Sequence, residues 1–434
     1  MYDVIVAGGG PVGSSAAKFC AERGLKTLLL EEHAEFGRPV QCAGLLSNNA
    51  FAQCRVGEKS ILNKVSGARI ISGLGNGLSF DAGVTKAYIV DRSLLDAEMG
   101  GNAANAGAEI KMKTSVTGFT PAASSNAGDF CTVTTTGIDG EESFETRIVI
   151  AADGPRSLFS RFLNLGRPPV YLSGIQADIA LKRDTGLVEL HPYASPDFFG
   201  WVIPISENLC RVGLCGEKDV PERFKAFLWK VCQDCDAEHS DAESGHESCN
   251  SATCSSASCT PVSCTTVSCT TVSCTHLVTG TIPLGIMPKT CANRVLFCGD
   301  AGGFAKPTSG GGIYTGIRTA YHAAETAAIC CEKKTFRDSD LKQYEKLWNK
   351  DIGKELRFGM KMYNLRKKIS DEQIDRLCRD LGSDEIRRDI MEYGDMDKPY
   401  RIIRKLMLNP IILKDLGSIA GSEIKSLIMP HGLR

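Results

Sequence analysis

The 434-residue sequence lacks the features that would assign it to several broad classes of protein. Its 50 Lys and Arg residues nearly balance its 51 Asp and Glu residues, so no overall field would attract nucleic acid. No apolar run approaches the roughly 18 residues that indicate a membrane-spanning helix. The chain opens on YDVIVA, without the charged start and apolar core of an export signal. We therefore expect a cytoplasmic protein whose 19 cysteines are thiols.

A complete dinucleotide-binding pattern is present near the start of the chain. Gly8, Gly10 and Gly13 follow YDVIVA and open a helical stretch, as the G-x-G-x-x-G pattern requires. The first glycine permits a tight turn, the second a close approach of pyrophosphate, and the third close packing of helix on strand. Glu31, at the end of the second predicted strand, is placed to accept hydrogen bonds from ribose hydroxyls, with Glu32 as the alternative. A glycine-rich turn that binds nothing is disfavoured, because strand, helix and acid all have the required spacing.

Two later apolar stretches each end in a turn that contains an aspartate. RIVIAADGPRS leads to Asp153 and Gly154, and RVLFCGD leads to Asp300. Together with YDVIVA, these stretches make three strands that each lead into a glycine or aspartate turn. Their spread over the chain predicts one nucleotide-binding domain built from discontinuous segments. The first motif alone leaves open whether the dinucleotide is NAD or FAD.

Together these motifs resemble the para-hydroxybenzoate-hydroxylase type of flavoprotein, which implies FAD as the cofactor. The resemblance assigns the first glycine loop to the ADP half of FAD and Asp300 to the ribityl and pyrophosphate region. It places Arg92 at the start of a helix near the cofactor, and PTSGGGI (307–313) around the flavin ring. A helix that begins near Ile313 would direct its positive end at the pyrimidine side of the flavin. The other cofactor contacts that the resemblance implies are Cys42, Ala43, Gly44, Val116, Asp153, Gly154, Gly310, Gly311 and Gly312.

Two more stretches narrow the resemblance to the geranylgeranyl reductases, especially the archaeal enzymes that saturate isoprenoid chains of membrane lipids. They are RPVQCAGLLS (38–47) and FFGWVIPISENLCRVG (198–213). Phe199 and Ile203 stand where that family commonly has tyrosine and phenylalanine, which weakens the assignment to one lipid more than the assignment to the family. The resemblance implies an FAD-dependent reductase of geranylgeranyl double bonds in archaeal-type membrane lipids or their precursors.

An isolated isoprene double bond restricts how such a reductase can work. Adding hydride first would leave an unstabilised carbanion, because no carbonyl group is conjugated to the alkene. Protonation of the alkene, with hydride from N5 of reduced flavin, avoids this and requires a long, dry, apolar pocket. Phe199 and Trp201 suit the wall of that pocket, although aromatic residues in strands more often belong to a core. Cys42 would lie against the flavin in a positioning or redox role, or would be a small buried apolar residue.

Two other functions stay open at this stage. FGWVIP is similar to the Trp-x-Trp-x-Ile-Pro stretch of flavin-dependent halogenases, although the first tryptophan is absent, so a monooxygenase or halogenase is the alternative. A flavin-holding electron carrier without turnover is the third. No second strand–GxGxxG–helix unit is present, so the electron donor would be external. The sequence does not distinguish NAD(P)H from a ferredoxin-like protein.

The resemblance implies an α/β architecture in which a Rossmann-like FAD-binding domain accompanies an antiparallel-sheet substrate domain and a helical C-terminal region. The expected segments of the FAD-binding domain are 1–65, 86–165 and 279–335. The substrate domain is expected to contain 66–85 and 166–230, with an insertion at 231–278 and the helical region at 336–434.

The C-terminal region contains basic amphipathic stretches. Residues 351–370 and 401–434 each carry six Lys or Arg against two Asp or Glu. A solvated helix face is the simple interpretation. A lipid substrate favours contact with an anionic membrane surface, here the inner face of the cell membrane. His322, on a predicted helix without a partner at metal-ligand spacing, is expected in the core.

The predicted insertion contains a cysteine every five residues from Cys249 to Cys274, in a Ser/Thr-rich run. Cys232 and Cys235 form a C-x-x-C pair before it. A poorly ordered surface loop is the favoured interpretation. Zinc and iron–sulfur sites use closely spaced pairs of ligands, and a solenoid needs bulky inward residues. We therefore predict no metal site.

Overall fold

Three β-sheets and a series of C-terminal helices make up the computed structural model of the chain, which describes residues 1–124, 126, 128–240 and 274–410. The strands in chain order are β1 (Tyr2–Ala7), β2 (Thr27–Leu30), β3 (Leu45–Ser47), β4 (Ile61–Val65), β5 (Gly67–Ile71), β6 (Gly77–Asp81), β7 (Ala87–Val90), β8 (Glu109–Lys111), β9 (Ser115–Thr120), β10 (Cys131–Gly137), β11 (Gly140–Ala151), β12 (Val170–Ala180), β13 (Leu187–His191), β14 (Gly200–Ser206), β15 (Leu209–Gly216), β16 (Cys274–Leu284), β17 (Cys291–Ala292) and β18 (Val295–Phe297). The helices are α1 (Pro11–Ala21), α2 (Asn48–Cys54), α3 (Arg92–Asn105), α4 (Leu158–Phe162), α5 (Val220–Ser240), α6 (Ile313–Lys333), α7 (Asp338–Trp348), α8 (Lys354–Arg366), α9 (Asp371–Asp380), α10 (Asp384–Tyr393) and α11 (Tyr400–Met407).

The first sheet carries the predicted nucleotide-binding pattern. Its strands lie in the order β17-β18-β11-β1-β2-β8, and all neighbours from β18 to β8 are parallel. β9 and β10 extend β11 as an antiparallel arm. Val4, Ile5 and Val6 are completely buried, because helices cover one face of the sheet and apolar residues from the arm and its neighbours cover the other. The prediction of one domain from discontinuous segments is confirmed, since strands near the start, middle and end of the chain are neighbours.

The second sheet has seven strands in the order β16-β12-β15-β14-β13-β5-β6. Every pair in it is antiparallel except β13 with β5. α5 packs against β12 and β15 through Phe224, Phe227 and Val231. The predicted antiparallel sheet is therefore present, with one parallel pair. The third sheet, β3-β7-β4, has only three strands.

The predicted insertion at 231–278 has regular structure at both of its ends, and its bounds stay a prediction. α5 continues to Ser240, and β16 begins at Cys274, where it pairs with Ile179 of β12. Regular structure therefore occupies both ends of the segment. The other five cysteines of the repeat, Cys249 to Cys269, lie outside the described residues, and so the interpretation of the repeat as a surface loop stays a prediction.

The C-terminal region is helical as predicted, through α7–α11. Ile386 of α10 and Ile402 of α11 are buried, whereas Arg404 is exposed. α11 therefore has one apolar and one basic face, as amphipathic helices do, whereas α10 carries four Asp or Glu residues beside Arg387 and Arg388. Within the described parts of the chain, no helix combines the length and apolar character needed to cross a membrane.

A buried ion pair ties the end of this region to the rest of the protein. The Nζ atom of Lys306 lies 2.7 Å from Oδ1 of Asp397 and donates to the carbonyl of Met396. The other oxygen of Asp397 accepts a hydrogen bond of 2.5 Å from the hydroxyl of Ser47. The Asp397 side chain is 0% exposed and that of Lys306 is 10% exposed. Three segments that are distant in sequence therefore meet at one carboxylate.

We predict that Asp397→Asn lowers the free energy of unfolding by about 3 kcal/mol, because it leaves the Lys306 ammonium group buried without its counter-ion. Urea unfolding followed by circular dichroism measures the loss. Asp389→Asn is the control, since Asp389 pairs with Lys405 on the surface and such pairs contribute little. Equal stabilities of the Asp397 variant and the unchanged protein would contradict the role given to this pair.

Candidate active site

A cavity of about 1090 Å³ lies where the carboxyl ends of β1, β2 and β11 face the second sheet. Ligands of parallel sheets bind at this edge. Most predicted site residues line it, and they are Gly8, Gly10, Glu31, Cys42, Ala43, Arg92, Val116, Asp153, Gly154, Phe199, Trp201, Asp300, Gly310, Gly311, Gly312 and Ile313. Gly13 and Gly44 do not line the cavity. Residues predicted from separate motifs therefore share one space, while their individual roles stay predictions.

The first glycine loop requires glycine for two different reasons. Gly8 has φ +95°, and a Cβ atom there would lie 2.4 Å from the carbonyl oxygen of Ala152. At Gly13 a Cβ atom would lie 1.8 Å from the carbonyl oxygen of Gly8, so only glycine lets α1 approach β1 this closely. A Cβ atom at Gly10 would meet nothing within 4 Å. The loop thus leaves open space beside Gly10 at the N-terminus of α1, where backbone N–H groups attract phosphate.

Glu31 has a structural role in addition to the predicted contact with ribose. It is 7% exposed, and its Oε2 atom accepts a hydrogen bond of 2.5 Å from the backbone N–H of Gly9. Its Oε1 atom accepts one of 2.9 Å from the N–H of His33. The carboxylate therefore fixes the glycine loop. A carboxylate has about four acceptor positions, so it keeps capacity for a ribose hydroxyl.

Two carboxyl groups in the cavity have raised pKa values, and one of them lacks a partner in the described structure. Burial raises the pKa of Asp153 to about 6, although Ser157 and the N–H of Leu158 oppose this. Its Oδ1 atom is buried and has no hydrogen-bond partner among the described residues. Burial also raises the pKa of Asp300 to about 6, while Arg92 lowers it. Both carboxyls can accept hydrogen bonds from a ligand that is rich in hydroxyl groups.

A second glycine loop, Gly310, Gly311 and Gly312, lines the same cavity from the other side. Gly310 has φ +70°, and α6 begins at Ile313 as predicted. The Nζ atom of Lys306 lies 3.6 Å from the position that a Cβ atom of Gly311 would take. Sequence analysis missed Lys306, although it immediately precedes PTSGGGI. The second glycine loop, the open space beside Gly10 and the unsatisfied Asp153 carboxyl together form a glycine-lined cradle. This cradle fits a dinucleotide with a fused ring system.

The segment around Cys42 is held by side chains from the second sheet, which sequence analysis also missed. Gln176 of β12 donates a hydrogen bond of 3.0 Å to the carbonyl of Cys42. Arg211 of β15 donates one of 2.9 Å to the carbonyl of Ala43 and forms an ion pair with Asp178. Gly44 has φ +72°, and its N–H donates to the sulfur of Cys42 over 3.4 Å. This segment is therefore fixed between the two sheets.

Arg92 lies beside the Cys42 sulfur at the start of α3, as predicted for a residue near the cofactor. It forms two hydrogen bonds with Asp96, of 2.9 and 2.8 Å. Burial alone would lower the pKa of Arg92, but Asp96 and the Cys42 sulfur raise it above the usual range. The guanidinium group is therefore a permanent positive charge next to both Cys42 and Asp300.

The aromatic motif forms part of the cavity wall. Trp201 of β14 pairs with Gly213 of β15, and a Cβ atom at Gly213 would lie 2.6 Å from the indole ring. The glycine that ends the motif therefore makes room for the ring. The rings of Phe199 and Trp201 meet edge to face with centroids 6.4 Å apart, and Phe198 stacks on Phe199 at 4.3 Å.

His322 is buried as expected, but it is not a simple core residue. Its Nε2 atom lies 2.9 Å from a carboxylate oxygen of Asp351, and the Nε atom of Arg318 lies 2.6 Å from the same oxygen. His322 and Arg318 lower the pKa of Asp351 to about 2. None of the three lines the cavity. Across residues 1–240 and 274–410, no cluster of His, Cys, Asp or Glu side chains is suited to hold a metal ion.

Comparisons with known proteins bear on the cofactor. Residues 1–169 match the model of the FAD binding domain family. Digeranylgeranylglycerophospholipid reductase 2 of Methanothermobacter thermautotrophicus is 29% identical to this chain, covering 89% of it and 93% of the relative. The chain is therefore similar to that reductase over nearly its whole length.

Two solved structures share the fold. A geranylgeranyl bacteriochlorophyll reductase-like protein from Thermoplasma acidophilum superposes with a TM-score of 0.74 at 22% identity, covering 98% of both chains. The p-nitrophenol 4-monooxygenase of Pseudomonas putida superposes with a TM-score of 0.64 at 17% identity, covering 91% of this chain and 97% of the monooxygenase. The predicted flavoprotein fold, the FAD cofactor and the resemblance to the geranylgeranyl reductases are confirmed.

We predict that Asp300→Asn stabilises the FAD-free protein at pH 8 and has little effect near pH 3. The pKa of Asp300 is raised in the folded state, so folding carries a cost above pH 6 that disappears as the carboxyl is protonated in both states. The difference at pH 8 should reach at most about 3 kcal/mol. Urea unfolding at both pH values measures it, and a constant difference across pH would contradict the assignment.

Proposed function

We propose that this chain is an FAD-dependent reductase that saturates the isoprenoid double bonds of geranylgeranyl-bearing membrane lipids or their precursors. The observation that carries the proposal is the continuity of the cavity. One end is the glycine-lined cradle that fits FAD, and the other end is a long apolar space under the second sheet. The similarity to a digeranylgeranylglycerophospholipid reductase over 89% of the chain supports the same substrate class.

The substrate end of the cavity has the chemistry of an isoprenoid chain. Its wall includes Val65, Ala68, Phe80, Val188, Leu190 and Ile203. An isoprenoid chain has no hydrogen-bonding groups, so it gains most from apolar contacts of this kind. Drug-sized ligands occupy cavities of about 300–1,000 Å³. A cavity of about 1090 Å³ is larger than these, as a dinucleotide together with a lipid chain requires.

When bound and reduced, FAD supplies the hydride for this reaction. The protein positions the reacting groups and excludes water from the cavity. Gln176 and Arg211 hold the backbone of Cys42 and Ala43 at the junction of the cradle and the apolar space. Trp201 and Phe199 exclude water from the second-sheet side. We assign Cys42 to the contact between substrate and cofactor, where its sulfur is fixed by the N–H of Gly44 and lies beside Arg92.

The C-terminal helices give the proposed enzyme a surface for contact with the membrane. Met391, Met396 and Leu408 are 37%, 43% and 50% exposed. Leu408 follows the basic residues Arg401, Arg404 and Lys405 of α11, as in helices that bind an anionic lipid surface. This arrangement suits an enzyme whose substrate is embedded in a bilayer.

Anaerobic reduction of a defined lipid tests the reaction. We expect the purified holoenzyme, reduced with dithionite, to add two mass units per double bond to a geranylgeranyl-bearing phospholipid, read by mass spectrometry. An unchanged lipid beside a fully reducible flavin would contradict the proposal. Oxygen consumption coupled to nicotinamide oxidation would then favour the monooxygenase or halogenase alternative.

Cys42→Ser tests the assignment of Cys42. We expect kcat for the lipid to fall about tenfold at unchanged FAD content, because the smaller, less polarisable oxygen no longer contacts both substrate and cofactor. The turnover of the reduced enzyme measures the loss, and the flavin absorbance measures FAD content. Cys331→Ser is the matched control, since Cys331 is a half-buried thiol on α6 that does not line the cavity. Full turnover in the Cys42 variant would remove Cys42 from the mechanism.

A further inference from the structure

The Lys306–Asp397 ion pair has a direction with respect to the cavity. Lys306 lines the cavity, whereas Asp397 is fully buried and is not part of the cavity wall. The cation is therefore the member of the pair nearer the cavity, and a charge acts more strongly the shorter the distance. Although its net charge is zero, the pair presents its positive end to the cavity.

The backbone and the side chain of Lys306 both meet the second glycine loop. The N–H of Lys306 donates a hydrogen bond of 3.0 Å to the carbonyl of Gly311, and its carbonyl accepts one of 2.8 Å from the N–H of Gly310. Its Cε and Nζ atoms lie 3.2 and 3.6 Å from the position that a Cβ atom of Gly311 would take. The ammonium group is thus held against a part of the loop that lines the cavity.

The ammonium group of Lys306 keeps one N–H for a ligand. A lysine has three N–H donors. Two of them are used within the protein, by Oδ1 of Asp397 over 2.7 Å and by the carbonyl of Met396 over 3.0 Å. The described residues provide no third acceptor. An acceptor atom of a bound ring can therefore take this N–H without breaking the ion pair.

Other charges meet the same loop. α6 begins after Gly312 with no acidic residue in its first turn and no side-chain cap, so its N–H groups add positive character. On the opposite side, Oδ1 of Asp300 lies 2.9 Å from the position of a Cβ atom of Gly312, with Arg92 acting on this carboxyl. Asp395 also lines the cavity, and it accepts a hydrogen bond of 2.8 Å from the N–H of Asp397. Because charges of both signs are present, the effect of Lys306 has to be measured as a difference between variants.

We propose that Lys306 raises the reduction potential of the flavin bound in this cavity. Reduction adds two electrons and one proton to a neutral flavin ring, so the reduced ring carries one negative charge. The positive end of the ion pair and the remaining N–H of Lys306 both interact more favourably with that charge than with a neutral ring, and such groups tune the electronics of a cofactor. The inference requires FAD but does not depend on the identity of the substrate.

Replacing both members of the pair tests the proposal without leaving a buried charge. In Lys306→Met/Asp397→Leu, apolar side chains take the place of the pair, and replacements of this kind are often neutral for stability. We expect the affinity for reduced relative to oxidised FAD to fall about tenfold, which lowers the two-electron midpoint potential by about 30 mV. The potential is measured anaerobically against a reference dye, with xanthine and xanthine oxidase as the electron source.

The matched control makes the same change at a pair away from the cavity. Lys111 and Glu142 lie 2.6 Å apart, and neither lines the cavity. We expect Lys111→Met/Glu142→Leu to leave the potential unchanged. Lys306→Arg keeps the positive charge, so its ratio of affinities should stay within about twofold of that of the unchanged protein.

The affinity for oxidised FAD separates this effect from a purely structural one. Titration of the FAD-free protein, followed by flavin fluorescence, should show a change in Kd of less than about threefold in the double variant, because the oxidised ring is neutral. A damaged cradle would instead weaken both redox forms equally and leave the potential unchanged. Should the double variant not fold, Lys306→Gln removes the charge while its amide can still donate to Asp397, and we expect at least as large a fall in potential.

Three results would overturn the proposal. The charge-removing variants could keep the potential of the unchanged protein, which would leave Lys306 as an anchor of the C-terminal region alone. The Lys306→Arg variant or the control pair could show the same fall, in which case the charge of Lys306 is not the cause. Because no lipid is present in these measurements, the proposed function can fail while this inference holds, and the reverse.

Discussion

The working geometry of this protein depends on the hydrogen bonds by which the second sheet holds the Cys42 segment, which follows β2 of the first sheet. Arg211 and Gln176 extend from the second sheet to the carbonyls of Ala43 and Cys42, and Asp178 neutralises the arginine. The Arg211 and Asp178 side chains are 13% and 11% exposed. A buried ion pair gains little net stability over apolar packing, so its main effect here is to hold one geometry. The Arg211–Asp178 pair therefore keeps the glycine-lined cradle and the apolar space of the cavity in a fixed relative position.

The carboxyl groups of the cavity lower the stability of the FAD-free protein but provide acceptors for a bound cofactor. Asp153 and Asp300 are carboxyls in surroundings that disfavour their charge, as their raised pKa values of about 6 indicate. Protein alone does not fully satisfy Asp153, since its Oδ1 atom has no partner among the described residues. A cofactor that supplies hydroxyl donors restores that energy only in the folded state and so stabilises the holoenzyme. Sites of this kind commonly trade stability for function.

Local patterns in the sequence were sufficient for the parts of the site that are local in the structure. The strand–glycine–helix unit at Gly8–Gly13 and the start of α6 at Ile313 follow from glycine spacing and helix periodicity. Trp201 and Gly213 belong to one hairpin, so a single motif contains both. These features need no knowledge of distant segments.

Contacts between distant segments could not be predicted in the same way. Gln176 and Cys42 are 134 positions apart, and Lys306 and Asp397 are 91 apart, so no periodicity relates them. The bounds assigned to the insertion stay a prediction, and α5 continues past Val231 to Ser240 inside them. The pairing of His322 with Asp351 likewise depends on how α6 packs beside the segment after α7.

The basic character of the C-terminal helices has a more specific structural basis than their composition indicates. Lys405 and Arg401 of α11 lie 4.3 and 4.6 Å from the centre of the Tyr393 ring, so part of the positive charge serves to pack α11 on α10. Arg387 and Arg388 of α10 instead share a depression beside β6 with Asp81 and Glu392, so their charge is balanced there. Asp397 anchors the connection between the two helices to Lys306, next to the second glycine loop. The same short region therefore contributes Met391 and Met396 to the cavity wall and is fixed beside the second glycine loop.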